Sequence, residues 1–346
     1  MWKRFDIDKT IVIDDFESNV FGEYDFINET DYSITREKGY IPITHTDGAG
    51  MILPNAFGCQ QKNKMVRLPW IKGLLGVFDF IKFIKLNNCS SKIKDIYGTK
   101  HDIIEEDIQV IFTKSQFKLH KYYNSWDEYK YNYKTYNCQA GYTNPEEDKI
   151  KNTVISYQML QSLTDITDDE IKKLIESSVK KINSIGKSAK TIYEVFGANE
   201  YNKYQTPFQK SIRLYPELLN DAYIKEKLKA IKDSLIKKYK SGKIEINGKY
   251  TFILPDFYAA CQYWFLHNEN PDGLLNDGEV YCDLFDAEKL DCLRSPHLYC
   301  EHAVRNNMAW SGLGETKESI KEWFQTKAVY TSCRDLLSKI LQFDDQ

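Results

Sequence analysis

Three short runs between Thr44 and Lys118 carry the residue types best suited to holding a phosphate: Thr46-Asp-Gly-Ala-Gly50, Arg67-Leu-Pro-Trp-Ile-Lys-Gly73 and Ser115-Gln-Phe-Lys118. Lys72 stands between Ile71 and Gly73 in an apolar, strand-like run. Burying an ammonium there is costly unless an anion meets it. Gly73 has no side chain, so a bulky ligand could approach its backbone closely. A phosphate is the natural anion for such a place. The competing reading is a lysine that snorkels to water at a strand end.

Other residues invite chemistry less directly. Cys292, His297, Cys300 and His302 are four soft-metal ligands within eleven residues, but their spacing is irregular against the paired intervals of structural zinc sites. The plainer reading is two small core cysteines and a loop histidine. Between Tyr122 and Tyr142 aromatics interleave with Lys121, Lys130 and Lys134, a mixture that could stack bases and hold phosphates. Trp126, Tyr129, Tyr133 and Tyr136 nevertheless recur at helical spacing, which favours a helix with a buried aromatic face. A lysine run from Lys225 to Lys240 is most simply a solvated helix face. No G-x-x-x-x-G-K-[ST], G-x-G-x-x-G or G-x-S-x-G run occurs, so a P-loop ATPase, a Rossmann dehydrogenase and an α/β-hydrolase lack local support.

The elements that must position these residues are read from periodicity. Residues 1–42 form a lead-in with β-type runs at Thr10–Ile13 and Tyr24–Ile27, and 43–149 hold crowded strand-like runs of a first β-barrel-like domain with the aromatic helix. Residues 150–242 are a helical connector. Thr167-Asp-Asp-Glu170 is a capping box, the apolar stripe after it repeats every 3.6 residues, and Gly186 ends it. A second helix is expected from Pro216 to Tyr239. Residues 243–346 start a second, incomplete β-barrel domain, opening with a hairpin about Asn247-Gly248. The expected class is α+β, and no internal repeat stands out.

Composition constrains function weakly. The chain has 346 residues, 42% of them hydrophobic and 28% charged, with a net charge of −3, so it is not a uniformly basic nucleic-acid binder, although a local basic groove remains compatible. Eight cysteines without a C-x-x-C pair read as reduced thiols. No apolar run reaches the ~20 residues of a membrane span, and Met1 is not followed by a signal-peptide pattern, so the expected location is cytoplasmic without a membrane.

Taken in order, Asp47-Gly48-x-Gly50, Arg67 with Lys72-Gly73, Ser115-Gln116-x-Lys118, a helical connector and Arg294-Ser-Pro-His297 resemble the RNA-silencing type of RNA-dependent RNA polymerase and its bacterial and phage relatives. The resemblance implies two double-psi β-barrels, a double-psi β-barrel-like unit first and the start of a second after the connector. It implies phosphate contacts from Arg67, Lys72, Lys118, Arg294 and His297, with Lys72 and Lys118 in the catalytic machinery. It further implies a catalytic, metal-binding Asp344 at the first position of a D-x-D-G-D signature. The chain departs from that signature after Asp344-Asp345-Gln346. A two-metal mechanism needs several carboxylates gathered around Mg²⁺ ions about 3.5–4 Å apart. Mg²⁺ is therefore expected only if a missing part completes the motif, and the lone chain is expected to be inactive. The implied partners are a single-stranded RNA or DNA template, nucleotides, and a C-terminal polymerase fragment or second subunit. The alternative without catalysis is a nucleic-acid-binding or structural protein of mixed α and β type.

Overall fold

A computed structural model describes residues 1–155, 157–294 and 302–342. They form an α+β protein with several sheets, one of them curled into a half-barrel. The chain divides into two units: Met1–Glu146, Thr251–Leu293 and His302–Gln346 make the first, and Glu147–Tyr250 with Arg294–Glu301 the second.

In the first unit the strands begin with β1 (Thr10–Ile13), the long hairpin β2 (Glu17–Ile27) and β3 (Ile34–Thr44), and β4 (Ala49–Ile52). Then come β5 (Lys64–Leu68), β6 (Ile71–Val77), the short hairpin β7 (Lys92–Lys94) and β8 (Lys100–Asp102), β9 (Val110–Thr113) and β10 (Gly141–Thr143). One sheet has the order β1-β9-β4-β6-β5-β10. β1 and β9, four residues each, are buried throughout, as expected of apolar strands with no polar face.

After Thr251 the unit continues with β11 (Ile253–Pro255), β12 (Glu279–Tyr281), β13 (Lys289–Leu293), β14 (His302–Asn307) and β15 (Val329–Thr331), in the order β11-β15-β12-β14-β13. If the first five strands of each sheet are numbered in chain order, both sheets read 1-5-2-4-3. Their pairings also run parallel, antiparallel, parallel, antiparallel in both. The expectation of no internal repeat is thus corrected at the level of topology. A trace survives in sequence, since Thr10-Ile-Val-Ile-Asp-Asp-Phe16 matches Thr251-Phe-Ile-Leu-Pro-Asp-Phe257 in type at nearly every position. The Asp47-Gly48 and Asp277-Gly278 pairs likewise precede β4 and β12, with positive φ at Gly48 and Gly278.

The two sheets share one core. Ile11, Ile13, Met51 and Leu74 pack in the same cluster as Leu254, Tyr281 and Tyr330, with the apolar helix Phe257–Leu266 wedged among them. A side chain at Gly76 would strike the Phe257 ring, so glycine lets that helix lie directly on β6. The β2–β3 hairpin pairs from Glu17↔Thr44 to Ile27↔Ile34. Beyond its base at Val20 and Ile43 it is exposed, carrying Phe21, Phe26, Ile34 and Tyr40 in water.

The second unit is mainly helical. The helix Asp168–Ser184 starts at the Thr167/Glu170 capping box, and Pro216 begins a 3₁₀ turn (Pro216–Asn220) before Asp221 caps the helix Ala222–Lys240. Ile185, Ile192, Ile212, Ile224 and Leu228 form its core, while Lys225, Lys227, Lys229, Lys237, Lys238 and Lys240 are exposed. The Asn247-Gly248 hairpin does not form. The Ile246 amide instead donates to the Thr153 carbonyl and Val154 bridges Glu245, so a distant segment supplies the pairing that a local turn was expected to give. Among the described residues no helix is long and apolar enough to cross a membrane.

Candidate nucleic-acid interface

The three runs singled out in sequence converge at one end of the first sheet. Asp15, just after β1, accepts from the Ser115 hydroxyl at 2.7 Å, the Ser115 amide at 2.8 Å and the Thr46 hydroxyl at 3.0 Å. The Gly48 amide donates to the Ser115 hydroxyl at 2.9 Å, and the Gln116 amide group donates to the Gly48 and Leu74 carbonyls. Burial pushes the Asp15 carboxyl above its usual range, opposed by the hydrogen bonds from Ser115 and Thr46. The Thr46–Gly50 and Ser115–Lys118 runs are thus stitched together by their small polar side chains, and Asp15, which sequence reading passed over, ties the knot. Its only sequence signal is an aspartate pair directly after the apolar run Ile11-Val-Ile13.

Gly73 departs from expectation. A side chain there would meet the Gly48 carbonyl and the Gln116 amide nitrogen, so the space is filled from within the protein and admits no ligand. Lys72 is likewise exposed on β6, which removes the burial cost. What remains is a solvent-facing cation, and it has company. Lys72 lies directly opposite Arg67 across the β5–β6 pair, which puts both side chains on one face. The Lys118 amide donates to the Trp70 carbonyl at 2.9 Å, and Phe117 bridges Ile71, so Lys118 sits beside the start of β6. Arg67, Lys72 and Lys118 are all exposed, and none has an acidic partner among the described residues. Lys114, by contrast, pairs with Asp14.

The turn that joins β5 to β6 consists of Pro69 and Trp70, with Leu68 and Ile71 paired across it. Trp70 is 55% exposed and has a φ of 63°, a left-handed conformation that is rare for a bulky residue. The Tyr129 hydroxyl donates to the Pro69 carbonyl at 2.7 Å from the helix Trp126–Thr135. In that helix Trp126 and Tyr129 are buried and stacked, while Tyr131 and Tyr136 face water. The aromatic helix is therefore mostly a support for the turn.

Of the remaining expected site residues, Arg294 follows β13, is half-buried and groups with the second unit. His297 and Asp344 lie outside the described residues, as do Cys300 and Asp345. The four-ligand zinc reading fails on β13 and β14: Cys292 lies opposite Ala303 and Leu293 opposite His302, so Cys292 and His302 face opposite sides of the ladder. His302 Nδ1 is 3.0 Å from Asp291, and burial pushes the Cys292 thiol up to about 12. Among the described residues no group of three or more His, Cys, Asp or Glu side chains could hold a metal ion.

No family model matches the chain. It is 48% identical over 343 residues to the DNA-directed RNA polymerase YonO of Bacillus phage SPbeta. That alignment covers 99% of this chain and 40% of the relative, so the chain spans less than half of the relative's length.

Proposed function

We propose that this chain is part of a template-directed RNA polymerase and supplies a surface that holds the phosphates of nucleic acid or of the incoming nucleotide. The observation that carries the reading is the 48% identity to a polymerase along nearly the whole chain. Two features of the fold support it. The strand order 1-5-2-4-3 occurs twice, in keeping with a pair of related barrels, which we take to be of the double-psi kind. The unpaired row of Arg67, Lys72 and Lys118 on the first sheet suits a polyanion, because cations without acidic neighbours pay no exchange of partners when phosphate binds. The relative's name speaks for a DNA template, whereas the RNA-silencing resemblance spoke for RNA. We place DNA first.

Lys72 and Lys118 contact phosphate, Arg67 extends the positive field beside Lys72, and the Asp15–Ser115–Thr46 knot fixes the loops that carry them. Magnesium would neutralise triphosphate charge during nucleotidyl transfer, and among the described residues no group of three or more His, Cys, Asp or Glu side chains is gathered to hold it. Asp344 stays a proposed ligand, and activity is proposed to need residues corresponding to the rest of the relative.

The test is incorporation of labelled nucleotides on a primed or unprimed DNA template with Mg²⁺. The 346-residue chain alone is expected to bind single strands in a salt-sensitive way and to incorporate nothing, with activity appearing when the remaining part of the relative is added. Lys72→Ala with Lys118→Ala should remove both binding and the restored activity. Restored incorporation that is indifferent to that double substitution would overturn the phosphate assignment.

A further inference from the structure

We propose that Trp70 is a stacking platform for a base of a bound nucleic-acid strand, beside the phosphates held by Arg67, Lys72 and Lys118. The proposal rests on the phosphate reading above and adds base contact to it. Trp70 is more than half exposed in a protein that buries Trp2, Trp126 and Trp264. It also occupies the second position of a two-residue turn at φ 63°, where glycine or asparagine is the unstrained choice.

Backbone strain of this kind persists only where the surroundings over-determine it. Here they do so from both sides. The Tyr129 hydroxyl holds the Pro69 carbonyl, and the Lys118 amide holds the Trp70 carbonyl. Tyr129 is itself fixed by a stacked contact with Trp126 at 4.8 Å and an edge contact with Phe117 at 5.0 Å. The result is an exposed indole carried on a clamped backbone, flanked within one turn and one ladder step by three unpaired cations.

Aromatic rings that receive unstacked bases next to a basic track are how single strands are held without sequence preference. An exposed tryptophan could equally anchor a protein partner. The cations around this one have no acidic neighbours, which favours a polyanion carrying flat rings.

The experiment measures binding of a short oligothymidylate and of an abasic oligomer of equal length to the 346-residue chain. Wild type is expected to prefer the base-bearing strand. Trp70→Ala should weaken that strand roughly 5- to 100-fold and leave the abasic strand unchanged, and Trp70→Phe should recover most of the loss. Trp70→Gly, which fits the left-handed turn, guards against misfolding and should behave like Trp70→Ala. Lys72→Ala with Lys118→Ala should weaken both strands alike. If Trp70→Gly binds oligothymidylate as wild type does while the lysine variant does not, the platform is wrong and the phosphate surface stands. If wild type binds neither strand, the phosphate reading falls and the platform falls with it.

Discussion

The two sheets of the first unit have the same strand order and sense, yet they finish their equivalent positions in opposite ways. Leu74 donates its amide to the Gly48 carbonyl on β6, and Asn306 donates to Gly278 on β14, which sets Gly73 and Arg305 at matching places. Beside Gly73 lies the neutral side chain of Gln116, and beside Arg305 lies Asp335, whose carboxylate accepts two guanidinium hydrogen bonds. The first sheet packs this place with an amide and leaves Arg67 and Lys72 in water. The second spends its arginine on a buried partner. One topology therefore yields exposed, unpaired cations in one copy and a structural clamp in the other.

The sharpest way to break this contrast is at the clamp. Asp335 is 2% and Arg305 17% exposed in their side chains, so Asp335→Ala strands a charge that water barely reaches. Loss of about 3–5 kcal/mol is expected, read from urea denaturation. Replacing both partners with the first sheet's pair, Arg305→Gly with Asp335→Gln, should recover a large part of it. An equal loss in the double variant would mean that the two sheets are not interchangeable at this position.

Gly73→Ala tests the other copy. The new methyl would meet both the Gln116 amide and the Gly48 carbonyl, and a cost of about 1–3 kcal/mol is expected from overpacking. Gln116→Ala should not rescue it, since the backbone carbonyl remains in the way. Full rescue would show that the glycine serves only the side chain.

A smaller effect concerns pH. Burial raises the Asp15 carboxyl, and it raises Asp256, the residue at the matching place after β11. A carboxyl with a raised folded-state pKa binds its proton more tightly in the native protein. Stability is therefore greatest below the unfolded value of about 3.9, falls as pH rises through the raised folded value, and is flat above it. Glu146, raised by burial as well, has the same sign. Asp15→Asn should flatten part of this slope, measured as urea midpoints between pH 4 and 7. An unchanged slope would mean that Asp15 is charged throughout that range.

What was legible in the sequence was local. The Thr167/Glu170 capping box, the apolar run of β1 and the first half of the aromatic stripe each depend on neighbours a few residues away and form where the pattern put them, whereas Tyr136, expected on the buried face, falls past the helix end and is exposed. The repeated topology was not legible, because parallel partners such as Thr10 and Val110 lie far apart and three-residue strands carry almost no period. The Asn-Gly signal at 247–248 misled for the same reason: a distant segment about Val154 outcompeted the turn. At the candidate interface Arg67, Lys72 and Lys118 were legible by type, Lys72 most plainly because it stands beside a glycine. Pro69-Trp70 in the same run carried the stranger fact, a proline that presets a turn whose next position favours glycine and holds tryptophan.

The smallest expected effect is also the most specific. Tyr129→Phe keeps the ring that stacks on Trp126 and removes only the hydroxyl that holds the Pro69 carbonyl. One hydrogen bond of this kind contributes about 0.5–1.5 kcal/mol, so the fold should survive with a modestly lower urea midpoint. The turn should not fare as well, because the strained Trp70 backbone then keeps only the Lys118 amide as its clamp. Amide hydrogen exchange at Trp70 and Ile71 should accelerate by more than the global stability loss explains. If the indole is a platform, oligothymidylate binding should weaken while the abasic oligomer is held as before. Exchange that rises evenly across β5 and β6 would instead make the hydroxyl an ordinary contact of the core, and the turn would owe its conformation to Pro69 alone.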